Sequence, residues 1–347
     1  MAVATIETIA KAAGPAAAGR PAAARALPLG KAINEALRDA LAEDPKVLVM
    51  GEDVGRLGGV FRITDGLQAE FGEDRVMDTP LAESGIIGTA IGLALRGYRP
   101  VVEIQFDGFV FPGYDQIVTQ LAKMHARSLG KISLPVVIRI PYGGGIGAVE
   151  HHSESPEALF AHVAGLKVVS PSNASDAYWM LRQAIASADP VIFFEPKRRY
   201  YERGEVDTTA PAQPLHTARV LREGTDLTLV GYGPTVKTCL EAAAEAGQEG
   251  RSVEVVDLRS ISPVDFDSLA HSVRRTGRLV VVHEAPVFFG AGAEIAARIT
   301  ERCFHHLEAP VLRVGGYHAP YPPARLEEEY LPGLDRVLHA VDHVMSF

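Results

Sequence analysis

This sequence predicts two α/β domains, each a mainly parallel sheet covered on both faces by helices. Three observations carry that expectation. Short continuous apolar runs recur along the chain, among them "KVLVMG", "LPVVIRI" and "RLVVVHE". Longer segments with helical apolar period separate them. A polar, proline-containing stretch near residues 196–217 then interrupts the rhythm before it resumes. Strands that are apolar on both sides must be buried on both faces, and a helix crossing over between parallel strands supplies that cover. The 347 residues, 47% hydrophobic and 22% charged, suffice for two such cores.

In chain order, "MAVATIETIAKAAGPAAAGRPAAARA" (1–26) is low-complexity Ala, Gly and Pro and is expected to be a disordered tail. A transit peptide is the alternative, because the segment is basic and acid-poor, although it lacks the usual serines. From Leu27, "GKAINEALRDALAED" is amphipathic at helical period and feeds the strand "KVLVMG". "DTPLAESGIIGTAIGLAL" follows as a helix and leads to the strand "PVVEIQF". The helical "DQIVTQLAKMHARSL" leads to "LPVVIRI", and "SDAYWMLRQAIAS" to "PVIFFEP". After the linker, with a boundary near residue 205, the second unit alternates "DLTLVGYG", "TVKTCLEAAAEAG", "SVEVVDLR", "DFDSLAHSVRRTG", "RLVVVHE", "GAEIAARITERCF" and "PVLRVGG", closed by the helix "LDRVLHAVDHVM".

Several function classes are excluded by composition. The net charge of -9 is spread out, and Lys197-Arg198-Arg199 is the only basic cluster, so no nucleic-acid partner is expected. No apolar run reaches membrane-spanning length. The two cysteines, Cys239 and Cys303, lack metal-ligand spacing and fit core positions.

Two motifs point to chemistry. Glu83 is the one carboxylate of an otherwise uncharged segment, close after Thr79-Pro80, a favourable helix start, and before Gly85, Gly88 and Gly92 at helical spacing. An acid in a first turn is favoured by the helix dipole alone. Set against an apolar, buried helix, however, its carboxylate is desolvated and poised to share a proton. The loop "PYGGGIGAVEHHSESPEA" matches a dinucleotide fingerprint only formally, since no acid ends the next strand and no Gly-Lys-Ser/Thr is present. Its glycines instead let backbone approach a ligand and deliver His151 or His152. The alternatives for that pair are metal ligation, for which adjacent histidines are poorly arranged, and capping of the helix in "SESPEALF".

The quoted segments, together with "GEDVGRLGGVFRIT", "EIQFDGFVFPGYDQI", "GLKVVSPSN", "VVDLRSISPVD" and "FGAGAEIAARI", resemble in order the beta subunit of the thiamine-diphosphate-dependent decarboxylating component of 2-oxo acid dehydrogenase complexes, from about Leu27 to Phe347. The resemblance implies a transketolase-like pyrimidine-binding domain (27–204) and a transketolase C-terminal-like domain (205–347) for subunit assembly and core docking. It implies that Glu83 contacts the aminopyrimidine nitrogen of thiamine diphosphate and promotes loss of the thiazolium proton. It makes Phe109 the stacking partner of the pyrimidine ring, Gln105 a further cofactor contact, and His152 the active-site histidine serving acyl transfer to a lipoyl group. Carbonyl positions matching a potassium site are Val136, Ala184, Ile185 and Asp189, with Ser187 where a relative has an acid. Gly-Asp-Gly is absent, so magnesium and the diphosphate are expected on a separate alpha chain, in a tetramer of two alpha and two beta chains docked to a lipoyl-bearing acyltransferase core. "EHHSESPEALFAH", "EIQFDGF" and "EPKRRYY" resemble branched-chain more than pyruvate members. A pyruvate or acetoin enzyme, or a non-catalytic dimerising subunit, are the alternatives. The implied location is the bacterial cytoplasm, with the mitochondrial matrix as alternative.

Overall fold

A computed structural model describes residues 24–347. Its strands are β1 (Arg25–Pro28), β2 (Val47–Gly51), β3 (Val76–Asp78), β4 (Arg99–Glu103), β5 (Val137–Tyr142), β6 (Lys167–Val169), β7 (Val191–Pro196), β8 (Arg203–Val206), β9 (Arg219–Arg222), β10 (Leu227–Gly231), β11 (Val253–Asp257), β12 (Ser260–Ser262), β13 (Leu279–Pro286) and β14 (Leu312–Gly316). The long helices are α1 (Leu29–Glu43), α2 (Glu83–Leu95), α3 (Ala174–Ala186), α4 (Thr235–Gln248), α5 (Phe266–Thr276), α6 (Ala291–Cys303) and α7 (Leu334–Met345). Among the described residues, no helix is long and apolar enough to cross a membrane.

A seven-stranded sheet has the order β12-β6-β7-β5-β4-β2-β3, and a five-stranded sheet the order β14-β13-β10-β11-β9. Every pairing in them is parallel except those of the edge strands β12 and β9. The strand alternation explains the two-sided burial. Val49, Val101, Val137 and Phe193 enter one core cluster, with α1 and α3, while their neighbours Met50, Val102, Ile138 and Ile192 enter the other, with α2. The second of these clusters continues into the C-terminal half through Val230, Val256 and Val281. One buried network departs from the apolar pattern: Arg139 on β5 bonds Glu103 on β4 at 2.7 Å and Glu195 on β7 at 2.6 Å. A guanidinium flanked by two carboxylates satisfies charges that none of the three could bury alone.

Several local expectations need correction. The predicted disordered tail lies outside the described residues except at its end, where Arg25 and Ala26 belong to β1. β1 pairs antiparallel with β8, so the segment read as a linker contains a strand. The basic triplet of that segment is consumed internally. Lys197 forms a buried pair with Asp107 at 2.9 Å, Arg198 reaches Glu284 at 2.6 Å, and Arg199 donates to the Pro234 carbonyl at 2.7 Å. Helix α2 starts at Glu83 rather than at Thr79-Pro80, with Ala82 preceding it, because Thr79 donates its amide back to Gly51 beyond the end of β3. Finally, α2 is buried on one face only. Ile86, Ile87, Ala90 and Ile91 enter the core, whereas Gly85 and Gly92 are exposed and Gly88 half-buried.

Candidate active site

Glu83 is the first residue of α2 and is only 8% exposed. Among the described residues no donor bonds its carboxylate. The helix Phe111–Asp115 packs on it closely at Gly113, where a Cβ would lie 3.2 Å from the Glu83 carbonyl. Beside it stands Glu52, just beyond β2. Burial first, and the Glu83 charge second, hold the Glu52 carboxyl above its ordinary range, and one of its buried oxygens has no partner. Gln105 donates to Asp53 at 3.1 Å, and more weakly to the Glu52 carbonyl at 3.4 Å.

His152 lies at the end of a short turn, Glu150–His152, beyond the glycine loop. Its ring stacks on Phe106, with centroids 3.9 Å apart, and meets Phe109 edge-on at 5.0 Å. Its Nδ1 is 2.9 Å from the His151 carbonyl. Burial disfavours its charged form and holds the imidazole below its ordinary range. His151 is exposed and pairs with Glu150 at 3.5 Å. Neither histidine caps the next helix, Glu157–Ala161, whose N-terminal Pro156 provides no side-chain cap. The loop is fixed from below by Asp107, which accepts the Glu154 amide at 2.9 Å, and by Gly108, where a Cβ would collide with the His151 carbonyl. Desolvation raises the Asp107 carboxyl to about 6, even opposite Lys197.

Glu83 and Gln105 thus meet at Glu52, while Phe109 and His152 meet at Phe106. Sequence reasoning missed Glu52, Phe106 and Asp107. Asp107 carried a signal, an acid set between an aromatic residue and a glycine in "EIQFDGF"; Phe106 carried none beyond adjacency to Gln105, and Glu52 none beyond its place in "GEDVGRLGGVFRIT".

An unpartnered carboxylate beside an orphaned one, next to half-buried aromatic rings, fits a heteroaromatic cofactor carrying protonatable nitrogens, as thiamine does. Three of the carbonyls expected to hold potassium, those of Val136, Ala184 and Ile185, already accept hydrogen bonds within the chain. The Val136 carbonyl accepts the Val191 amide at 2.9 Å, and the Ala184 carbonyl the Ser187 amide at 3.2 Å. Arg99 donates to the Ile185 carbonyl at 2.9 Å and the Ser187 carbonyl at 3.1 Å, and Asp189 faces Lys167 at 3.8 Å. Arg99 and Lys167, each partly exposed, bring positive charge to the same place. Among the described residues, no cluster of three or more His, Cys, Asp or Glu side chains could hold a metal ion.

The chain matches two family models, the transketolase pyrimidine-binding domain over residues 25–202 and the transketolase C-terminal domain over residues 216–337. It is 62% identical to a pyruvate dehydrogenase E1 component subunit beta of Leifsonia xyli subsp. xyli, covering 93% of this chain and 96% of the relative. It is 58% identical to a 3-methyl-2-oxobutanoate dehydrogenase subunit beta of Mycobacterium tuberculosis, covering 92% of each. A solved split-gene transketolase, an inactive beta4 tetramer, superimposes with TM-score 0.76 at 25% identity over 93% of this chain and 99% of that one. Matches spanning both domains, over the same residues that frame Glu83 and His152, show that the chain belongs to the E1 beta-subunit family of the 2-oxo acid dehydrogenases, thiamine-diphosphate enzymes of transketolase fold.

Proposed function

We propose that this chain is the pyrimidine-binding, acid/base half of a branched-chain 2-oxo acid dehydrogenase, working with an alpha subunit in a tetramer of two alpha and two beta chains in the bacterial cytoplasm. The observation that carries the reading is Glu83: a nearly buried carboxylate at the start of α2, without a donor among the described residues and beside a second desolvated acid. Thiamine diphosphate, when bound, supplies a nucleophilic carbon and an electron sink for decarboxylation. Glu83 holds a proton at the aminopyrimidine nitrogen and exchanges it. Glu52, whose carboxyl burial and the Glu83 charge hold above its ordinary range, places a second titratable group next to it. Phe109 packs against the pyrimidine and Gln105 orients it. His152, fixed on Phe106, moves a proton as the lipoyl disulfide opens, one sulfur taking the acyl group as a thioester and the other becoming a thiol. Magnesium and the diphosphate belong to the alpha chain, and the C-terminal domain joins the subunits and docks to the acyltransferase core.

The motifs "EHHSESPEALFAH" and "EIQFDGF" support branched-chain substrates, as does the Mycobacterium tuberculosis relative. Pyruvate is the second reading, favoured by the name of the 62% identical relative. Each methylene buried in an apolar pocket contributes ~0.8 kcal/mol, and one methylene typically discriminates by ~10–200-fold. The test assays pyruvate and the 2-oxo acids of valine, leucine and isoleucine, with this chain alone and with its alpha chain. The expected result is no turnover alone, and in the pair a kcat/KM at least about tenfold higher for the branched acids. A preference for pyruvate moves the assignment to the second reading; robust turnover by the chain alone removes the alpha-chain requirement.

A further inference from the structure

The glycine loop after β5 is held by carboxylates from the other domain. Gly143, Gly145 and Gly147 have φ of +82°, +87° and +69°, so the amides of the loop turn toward a common side, as in a backbone anion nest. The anion in this nest is protein. Glu327 accepts the Gly145 amide on Oε1 at 2.8 Å and the Gly147 amide on Oε2 at 3.0 Å. Glu284, at the end of β13, accepts the Gly144 amide at 3.1 Å and is itself held by Arg198 at 2.6 Å. Tyr321 steadies Glu327 through a hydroxyl bond to Oε1 at 2.7 Å. Glu327 is 6% exposed. Glycine loses more freedom on ordering than any other residue, so a loop of this composition keeps one shape only if anchored from outside. Downstream of the anchors the chain passes directly into the turn that ends at His152.

Resting on the proposed role of His152, we infer that Glu327 is a positioning residue: a C-terminal-domain carboxylate that fixes the glycine loop and thereby seats His152 over Phe106. A bidentate carboxylate serves two amides with two oxygens, whereas glutamine has one acceptor and turns an NH2 group toward the other amide. Misplacement of a catalytic group by an ångström costs up to about a hundredfold. Glu327→Gln in the reconstituted alpha–beta enzyme is therefore expected to lower kcat by about ten- to hundredfold, with KM for the 2-oxo acid and thiamine diphosphate affinity within about twofold of wild type. Because the loss passes through His152, adding Glu327→Gln to His152→Ala should cost little more than His152→Ala alone. Tyr321→Phe, which removes only the support of Glu327, should give a smaller loss of the same kind and serves if Glu327→Gln does not assemble. Unchanged kcat in both variants, additive losses in the double variant, or a parallel fall in cofactor affinity overturns the clamp. Wild-type turnover in His152→Ala overturns the histidine assignment, and the clamp with it.

Discussion

The two ends of the candidate site are finished to different degrees. At the histidine end, both domains close on one loop: Asp107 and Gly108 from below, Glu284, Tyr321 and Glu327 from above. At the Glu83 end, α2 turns its glycine face outward. A Cβ at Gly88 or Gly92 would meet nothing within 4 Å, and Leu81 is 81% exposed. A groove of about 560 Å³ runs beside this face, lined by Met50, Met77, Pro80, Ile86, Leu93 and Tyr98 among others, and neither Glu83 nor a histidine lines it. Bare helix backbone next to an apolar groove is unfavourable in water, and such surfaces mark contacts with other proteins. The chain closes the half of the site built from its own two domains, and the proposed alpha chain accounts for the half it leaves open.

The sharpest contrast between the ends is one methyl group. Gly144→Ala drives a Cβ into the Tyr321 hydroxyl and should destabilise the chain by about 1–3 kcal/mol, as overpacking does. Gly88→Ala enters open space in mid-helix and should stabilise the isolated chain by about 0.5–1 kcal/mol, while weakening association with the alpha chain. Denaturant midpoints of the two variants, with a binding measurement for the second, check this. Equal effects on stability would erase the comparison.

A pH-dependent effect tests the seam behind the loop. Glu157 is fully buried and accepts the Tyr232 hydroxyl at 2.5 Å across the two domains, and burial pushes its carboxyl from 4.5 up to about 8. The folded state keeps this proton where the unfolded chain has lost it. Its contribution to stability therefore falls as pH rises from about 4.5 to about 8, and is constant above. Glu157→Gln keeps an acceptor for Tyr232 and removes the titration. It should be the more stable protein at pH 8 by at least about 1.4 kcal/mol, the worth of one pKa unit, with the advantage shrinking toward pH 5. Parallel stability–pH curves for the two proteins would show that Glu157 does not titrate in this window.

The sequence made the layered part of the molecule legible, because burial on two faces writes itself into continuous apolar runs and into helical period. Helix α7 was read to the residue, and Glu83 and the histidines stood out as polar groups in unlike surroundings. Edge strands β9 and β12 were not legible, since four and three residues are too short to show a period. Nor was the openness of the glycine face: small residues at helical spacing are compatible with a close neighbour in the same chain or in another. The clamp was hidden for a different reason. Glu284 and Glu327 lie 140 and 182 positions from the amides they bind at Gly144 and Gly145, and such pairings leave no local trace.

The central claim is that Glu83 exchanges a proton with the cofactor, and Glu83→Gln tests it most directly. Glutamine preserves shape at the start of α2 but cannot exchange the proton, and the quantity to follow is hydrogen–deuterium exchange at the thiazolium carbon in the reconstituted enzyme. General acid/base groups contribute ~10²–10⁴-fold, and exchange in the variant is expected to slow toward the upper end of that range with the fold and cofactor binding retained. Exchange at the wild-type rate would reduce Glu83 to a helix-terminus acid and contradict the account.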